Sequence, residues 1–200
     1  MAHPHVFTDT AVEVIFDAAG QVTALRVTWT YDDLFSLMTV EERGADTDGD
    51  GSVSADEFAP LAGFDSNWPE DYDGDTYILS GGAPVALDPT PTGWEDGWSD
   101  GRLWSRHTRT LTAPLDPAKA EVVIQSYDPG YYVAYAIDPR VAFTGRDDCR
   151  AEVFVPDLDA AAAELQASLK EYAPGDNLDD FGLGDVGAGF AEEIRLTCGR

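Results

Sequence analysis

Two periodicities organise this chain, and the shorter one dominates. Val6 to Phe16 alternates as a half-buried strand does, Asp17-Ala-Ala-Gly20 reads as a turn, and Val22 to Tyr31 follows as a β-branched and aromatic partner. Tyr77 to Leu87 predicts a second hairpin about Gly81-Gly82. Leu103 to Leu111, Ala120 to Tyr127 and Tyr131 to Ile137 predict three further strands, the last two joined tightly through Asp128-Pro129-Gly130. Ala151 to Val155 and Glu193 to Thr197 are also strand-like.

The period lengthens in two places. Asp32 to Arg43 sets Leu34, Leu37, Met38 and Glu41 at helical spacing, and Phe58, Leu61 and Ala62 do the same a little later. Leu158 to Tyr172 carries Ala, Leu, Glu and Lys at helical period and stops before Pro174-Gly175. Between the periodic stretches, 63–75 is expected to be irregular, 88–101 a Pro/Gly/Trp-containing acidic loop, and 175–189 an acidic, Gly-rich linker. The sum is a mainly β (α+β) fold, a single domain over 1–200. It is expected as a β-sandwich-like antiparallel domain with a helix-loop-helix insertion at 32–66 and one late helix.

Between the first two helical segments lie twelve residues, Asp46 to Glu57, that spell an EF-hand calcium loop. Calcium takes six to eight oxygens, supplied from loop positions 1, 3, 5, 7, 9 and 12. Those positions hold Asp46, Asp48, Asp50, the Ser52 carbonyl, Ser54 (directly or through water) and Glu57. Gly51 stands at position 6, where the chain must turn sharply, and Val53 at position 8 offers an apolar anchor. The bland alternative is an acidic surface turn. A second acidic run, Asp71, Asp73 and Asp75, does not complete a pair of hands, because Thr76 occupies the glycine position and Gly82 the position of the bidentate Glu. A lone hand suits a structural calcium ion better than a sensor that opens a Met-rich groove, and the chain has only 2 Met.

Composition narrows the partners. The 200 residues, 44% of them hydrophobic, suffice for a real core. A formal net charge of −26 repels a phosphate backbone or an anionic membrane surface and attracts cations. No run of eighteen apolar residues predicts a membrane span. Met1-Ala2 leads directly into His3-Pro4-His5, as expected of a cytosolic protein or of a mature secreted domain carrying an added start Met. Cys149 and Cys198 each sit beside a strand-like segment, so a bridge tying the two strands is one reading and two buried thiols the other.

The histidines carry the remaining chemistry. In an extended chain His3 and His5 project to one face and would share one metal ion, with zinc, nickel or copper the natural guests of imidazole nitrogen. The alternative is a frayed terminus. Pro4 lacks the N–H that a square-planar backbone chelate would have to lose. His107, Asp32 and Asp128 are candidates to complete the set, against the plainer readings of a core histidine and two turn or helix caps.

At this point the chain resembles a known family. His3-Pro-His-Val-Phe-Thr-Asp9, Val27-Thr-Trp-Thr-Tyr-Asp32, Tyr127-Asp-Pro-Gly-Tyr-Tyr-Val133 and Ile194-Arg-Leu-Thr-Cys198 are similar to the landmarks of domain-of-unknown-function family 1007. That family is described as the periplasmic component of an uncharacterised ABC-type transport system, often encoded beside nickel, cobalt or zinc transport genes. The resemblance covers nearly the whole chain. It implies a periplasmic, signal-cleaved protein whose mature chain begins near His3, and it favours the Cys149–Cys198 bridge; the EF-hand and the 88–101 loop look like elaborations.

Three functions follow as expectations. The first is a periplasmic metal-binding accessory protein that buffers zinc, nickel or copper or delivers it to a membrane transporter or its binding protein, with Ca2+ structural. The second is a non-catalytic, calcium-stabilised interaction module docking through the region of Trp94, Trp98 and Trp104. The third is a copper enzyme built on the amino-terminal histidine. Against catalysis stands a poor inventory: no Gly-x-Ser-x-Gly elbow, no phosphate loop and no His-Glu-x-x-His helix.

Overall fold

Strict alternation in strand β1 (Val6–Phe16) turns Val6, Thr8, Thr10, Val12, Val14 and Phe16 inward and leaves the intervening side chains exposed or half-buried. Strand β2 (Val22–Tyr31) returns beside it antiparallel, with Thr8 opposite Tyr31 and Val14 opposite Leu25. The computed structural model describes residues 4–69, 72–169 and 185–199. His3, Asp71, the expected end of the late helix and most of the 175–189 linker lie outside the described residues.

This hairpin is the middle of one sheet. Its order is β5 (Thr92–Ser99), β6 (Arg102–Leu115), β2, β1 and β8 (Val133–Ile137), with β9 (Ala142–Thr144) also paired to β1. The second sheet runs β10 (Cys149–Phe154), β11 (Glu192–Cys198), β7 (Val122–Ser126), β3 (Thr76–Ser80) and β4 (Ala83–Pro84). Val12, Val27, Trp29 and Leu103 from the first sheet and Ile78, Val122, Ile124, Ile194 and Leu196 from the second belong to one hydrophobic core. Burying an aliphatic side chain of this size contributes roughly 2 kcal/mol. The mainly β, sandwich-like architecture read from the sequence is the one observed.

Pairing departs from the expected antiparallel pattern at one edge. β8 and β9 both run parallel to β1, Val6 facing Val133 and Glu13 facing Ala142, so two short strands share the edge of one long one. The 88–101 segment also differs from expectation. Instead of a loop it contains β5, paired with β6 from Thr92 to Ser99. Gly93, Gly97, Glu95 and Asp96 have poor strand propensity, but an edge strand tolerates outward acids, and pairing overrides the local preference. At Gly97 a side chain is excluded outright, since a Cβ there would come within 2.7 Å of the Trp104 ring.

Helix α1 (Asp33–Arg43) is capped at both ends. The Asp32 carboxylate accepts from the Phe35 N–H at 2.8 Å, and Gly44, at φ 60°, closes the helix by donating to the Glu41 and Val40 carbonyls. Ser36 and Val40 are its buried residues, and the Ser36 hydroxyl oxygen accepts from the Leu103 N–H of β6 at 2.9 Å. Leu34, Leu37 and Met38, the expected apolar stripe, are 64%, 55% and 60% exposed. The expected outgoing helix is instead a run of turns over 55–65. Pro60 explains this, because beyond the first turn it cannot donate and its ring clashes with the preceding carbonyl. The late helix α2 spans Leu158–Leu169, and a short 3-10 turn at Val186–Phe190 precedes β11. Among the described residues no helix is long and apolar enough to cross a membrane.

Cys149 and Cys198 face each other across the β10–β11 register and form a disulfide. The two-thiol alternative is thereby set aside.

Candidate metal centre

The Asp46 loop brings its first three carboxylates together. One ligand oxygen each from Asp46, Asp48 and Asp50 lies within 4.8 Å of the others. Backbone amides hold them: Asp46 accepts from the Gly49 and Gly51 N–H at 2.8 and 3.0 Å, Asp48 from Asp50 at 3.1 Å, and Asp50 from Ser52 at 2.8 Å. Gly49 and Gly51 both adopt positive φ, 74° and 80°, which lets the loop fold back on Asp46. Val53, Ala45 and Leu61 are buried and anchor the loop to the core.

Glu57 stands elsewhere in this arrangement. One carboxylate oxygen accepts from the Thr47 N–H and hydroxyl at 2.8 and 2.7 Å, the other from the Ser54 N–H and hydroxyl at 3.1 and 2.7 Å. These four bonds hold its pKa down at about 2, so it is ionised at neutral pH. Thr47 and Ser54 lie at opposite ends of the loop, and Glu57 clasps them together. The Asp triplet is an oxygen-only set, Asp46 half-buried and Asp48 and Asp50 exposed, of the kind a hard cation takes, and Ser52, Ser54 and Glu57 stand beside it in sequence for the remaining positions.

The amino-terminal candidates gather at one end of the first sheet. The His5 N–H donates to the Tyr132 carbonyl at 2.8 Å, and the two rings lie 4.9 Å apart. Asp128 accepts from the Gly130, Tyr132 and Val133 amides at 3.0, 2.7 and 3.1 Å, folding its loop against His5. Asp32, besides capping α1, accepts from the Phe7 N–H at 2.7 Å. His5, Asp32 and Asp128 are thus neighbours by backbone connection, and both carboxylates already accept from amide N–H groups. Among the described residues the three-carboxylate loop is the group whose ligand atoms converge.

His107 is not part of that end. It pairs with Val27, which pairs with Val12, so it sits two strands over from β1 and far along it from His5. There it is fully buried, with the rings of Trp29, Trp68 and Trp94 at 4.7, 4.9 and 4.9 Å. Neither ring nitrogen has a partner among the described residues. Burial, with Arg109 nearby, drives its pKa down to about 3, so the imidazole is neutral.

Around His107 lies a polar layer that the sequence reading missed. Thr8, Thr10, Ser105 and Arg109 of the first sheet face Thr76 and Ser126 of the second, all buried. Asp65 accepts from the Ser105 hydroxyl, and burial raises its pKa. Asp75, held at φ 45°, accepts from the Tyr135 hydroxyl at 2.6 Å, yet burial still pushes its pKa up to about 6. The signal for Arg109 was present in the alternation Leu103, Ser105, His107, Arg109, Leu111, which turns one face inward.

A two-sheet β protein with a disulfide-closed edge and an acidic loop between its central hairpin and second sheet is the class these features define. The chain belongs to the DUF1007 family, described as a protein of unknown function, whose model matches residues 1–198. Comparison with curated proteins gives no match.

Proposed function

We propose that the protein is a periplasmic metal-binding accessory protein: calcium fixes the Asp46 loop, and a transition metal taken at the amino-terminal histidines is buffered or passed to a transporter. The observation that carries the reading is the convergence of Asp46, Asp48 and Asp50 within 4.8 Å on a loop anchored by Val53. The Cys149–Cys198 bridge supports an oxidising compartment. For the transition metal, His3 and His5 supply the nitrogens, and Asp32 or Asp128 would contribute a lone pair beyond those its amide partners use.

Calorimetric titration of chelator-stripped protein with zinc, nickel and copper, calcium saturating, tests this. One event lost in a His3→Ala, His5→Ala variant supports the reading; binding undiminished in that variant moves the site elsewhere, and no event beyond calcium removes the metal-handling role.

A second reading, a calcium-stabilised interaction module, is favoured by a different surface than expected. Trp94, Trp98 and Trp104 are only half-exposed, whereas Leu34, Leu37 and Met38 stand out on the helix that feeds the calcium loop. Under this reading the titration shows no event with zinc, nickel or copper.

A further inference from the structure

Arg109 is a buried cation in a chain of net charge −26, and the Asp73 and Asp88 carboxylates act on it electrostatically without closing to an ion pair. It is 3% exposed, yet it enters none of the ion pairs among the described residues. Its Nη1 donates to the Asp73 carbonyl at 2.6 Å, its guanidinium lies 5.3 Å from the Trp68 ring centre, and its Nε has no partner among the described residues. Gly74 makes the close approach feasible, since a Cβ there would meet Nη1 at 2.1 Å. Charge burial of this kind is costly unless something pairs with it.

Arg109 lines a cavity of about 460 Å³ between β3 and the segment 84–89. That size suits a small metabolite. Its walls are of three kinds. Arg109 supplies a guanidinium whose Nη2 is left to donate to a carboxylate. Asp73 supplies a negative group in the same lining, while Ile78, Pro84, Val85 and Leu87 form an apolar side. Thr76, also in the lining, keeps a buried hydroxyl without a partner among the described residues.

A ligand for this cavity must satisfy Arg109 without adding net negative charge to an already acidic molecule, which disfavours simple organic anions. A zwitterion meets both conditions. We propose that the cavity binds a free α-amino acid with an apolar side chain, its carboxylate on Arg109, its ammonium on Asp73 and its side chain against Val85 and Leu87. This site is separate from the Asp46 loop and from the His5 end, so it stands or falls independently of the metal reading.

The test is calorimetry of the full chain, calcium saturating, with L-leucine and L-phenylalanine as probes. Binding is expected for at least one, and leucinamide and 4-methylpentanoate, which each lack one charge, should bind at least about tenfold more weakly, a loss of about 1.4 kcal/mol. Arg109→Met should weaken binding by a similar factor or more. Because Arg109 is in the core, a second variant is needed: Ala86 is an exposed residue of the lining, and Ala86→Trp should fill space in the cavity while leaving Arg109 in place. No binding of either amino acid at roughly millimolar concentration overturns the proposal. So does unchanged binding in folded Arg109→Met or Ala86→Trp protein, and equal binding of 4-methylpentanoate overturns the zwitterion assignment.

Discussion

The Tyr135 hydroxyl donates to Asp75 at 2.6 Å, joining the edge strand of one sheet to the residue just before β3 in the other. Burial raises the Asp75 pKa to about 6 from an ordinary 3.8, so the folded state holds this proton more tightly than the unfolded chain. The contribution is fully present below about pH 4 and is lost as pH rises through about 6, in all roughly 3 kcal/mol. Asp75→Asn should remove that slope, which urea unfolding between pH 4 and 7 would detect; an unchanged slope would show that Asp75 titrates normally.

His107 works in the opposite direction. Its folded pKa of about 3 lies below the ordinary 6.5, so the unfolded chain binds the proton first. Stability is intact above about pH 6.5 and declines as pH falls toward 3, by up to roughly 5 kcal/mol. Between pH 4 and 6 the Asp75 and His107 contributions oppose one another, and wild-type stability should be nearly flat there. His107→Leu should leave a protein whose stability rises on acidification through this window, read again by urea unfolding. A wild-type-like profile in the variant would remove His107 as the cause.

Calcium should raise the melting temperature. A ligand at a hundred times its dissociation constant stabilises by about 2.7 kcal/mol. Asp46→Ala removes a member of the converging triplet and Glu57→Gln weakens the clasp on Thr47 and Ser54, so each should shrink the gap between melting curves in calcium and in chelator. Coincident wild-type curves in the two conditions would defeat the calcium assignment.

Reducing the Cys149–Cys198 bridge releases a loop with a sequence separation of 49. In the chain-entropy model such a loop is worth about 4 kcal/mol. The Cys149→Ser, Cys198→Ser double variant should therefore lose roughly that much in chemical unfolding, and reductant should destabilise the wild type but not the variant.

Much of the fold was legible because burial on one face of a strand writes itself as alternation. The β1–β2 hairpin, β6, β7 and β8 were all anticipated on that ground, and Asp32 and Gly44 bound α1 as their chemistry suggests. What could not be read was decided by tertiary pairing. β5 has glycines and acids that only the neighbouring β6 makes into a strand, and β9 is three residues whose partner lies far away in sequence. In the site, the Asp46 triplet followed from fixed spacing within one loop. The neighbourhood of Asp75, Tyr135 and Arg109 did not, because it assembles from three strands and a loop with no local motif. His107 showed its inward direction in the alternation, but not the three tryptophans that close over it.

Parallel pairing of β8 and β9 on one edge of β1 has a temporal side. As the chain leaves a ribosome or emerges across a membrane, the amino-terminal hairpin exists long before its outer neighbours do. For that interval an eleven-residue strand presents an open edge with an alternating apolar face, a template on which another copy can register. Closing it requires contacts far apart in sequence, which are slow to form. Dilution during refolding should therefore raise the yield of native protein even under conditions where the finished molecule is stable.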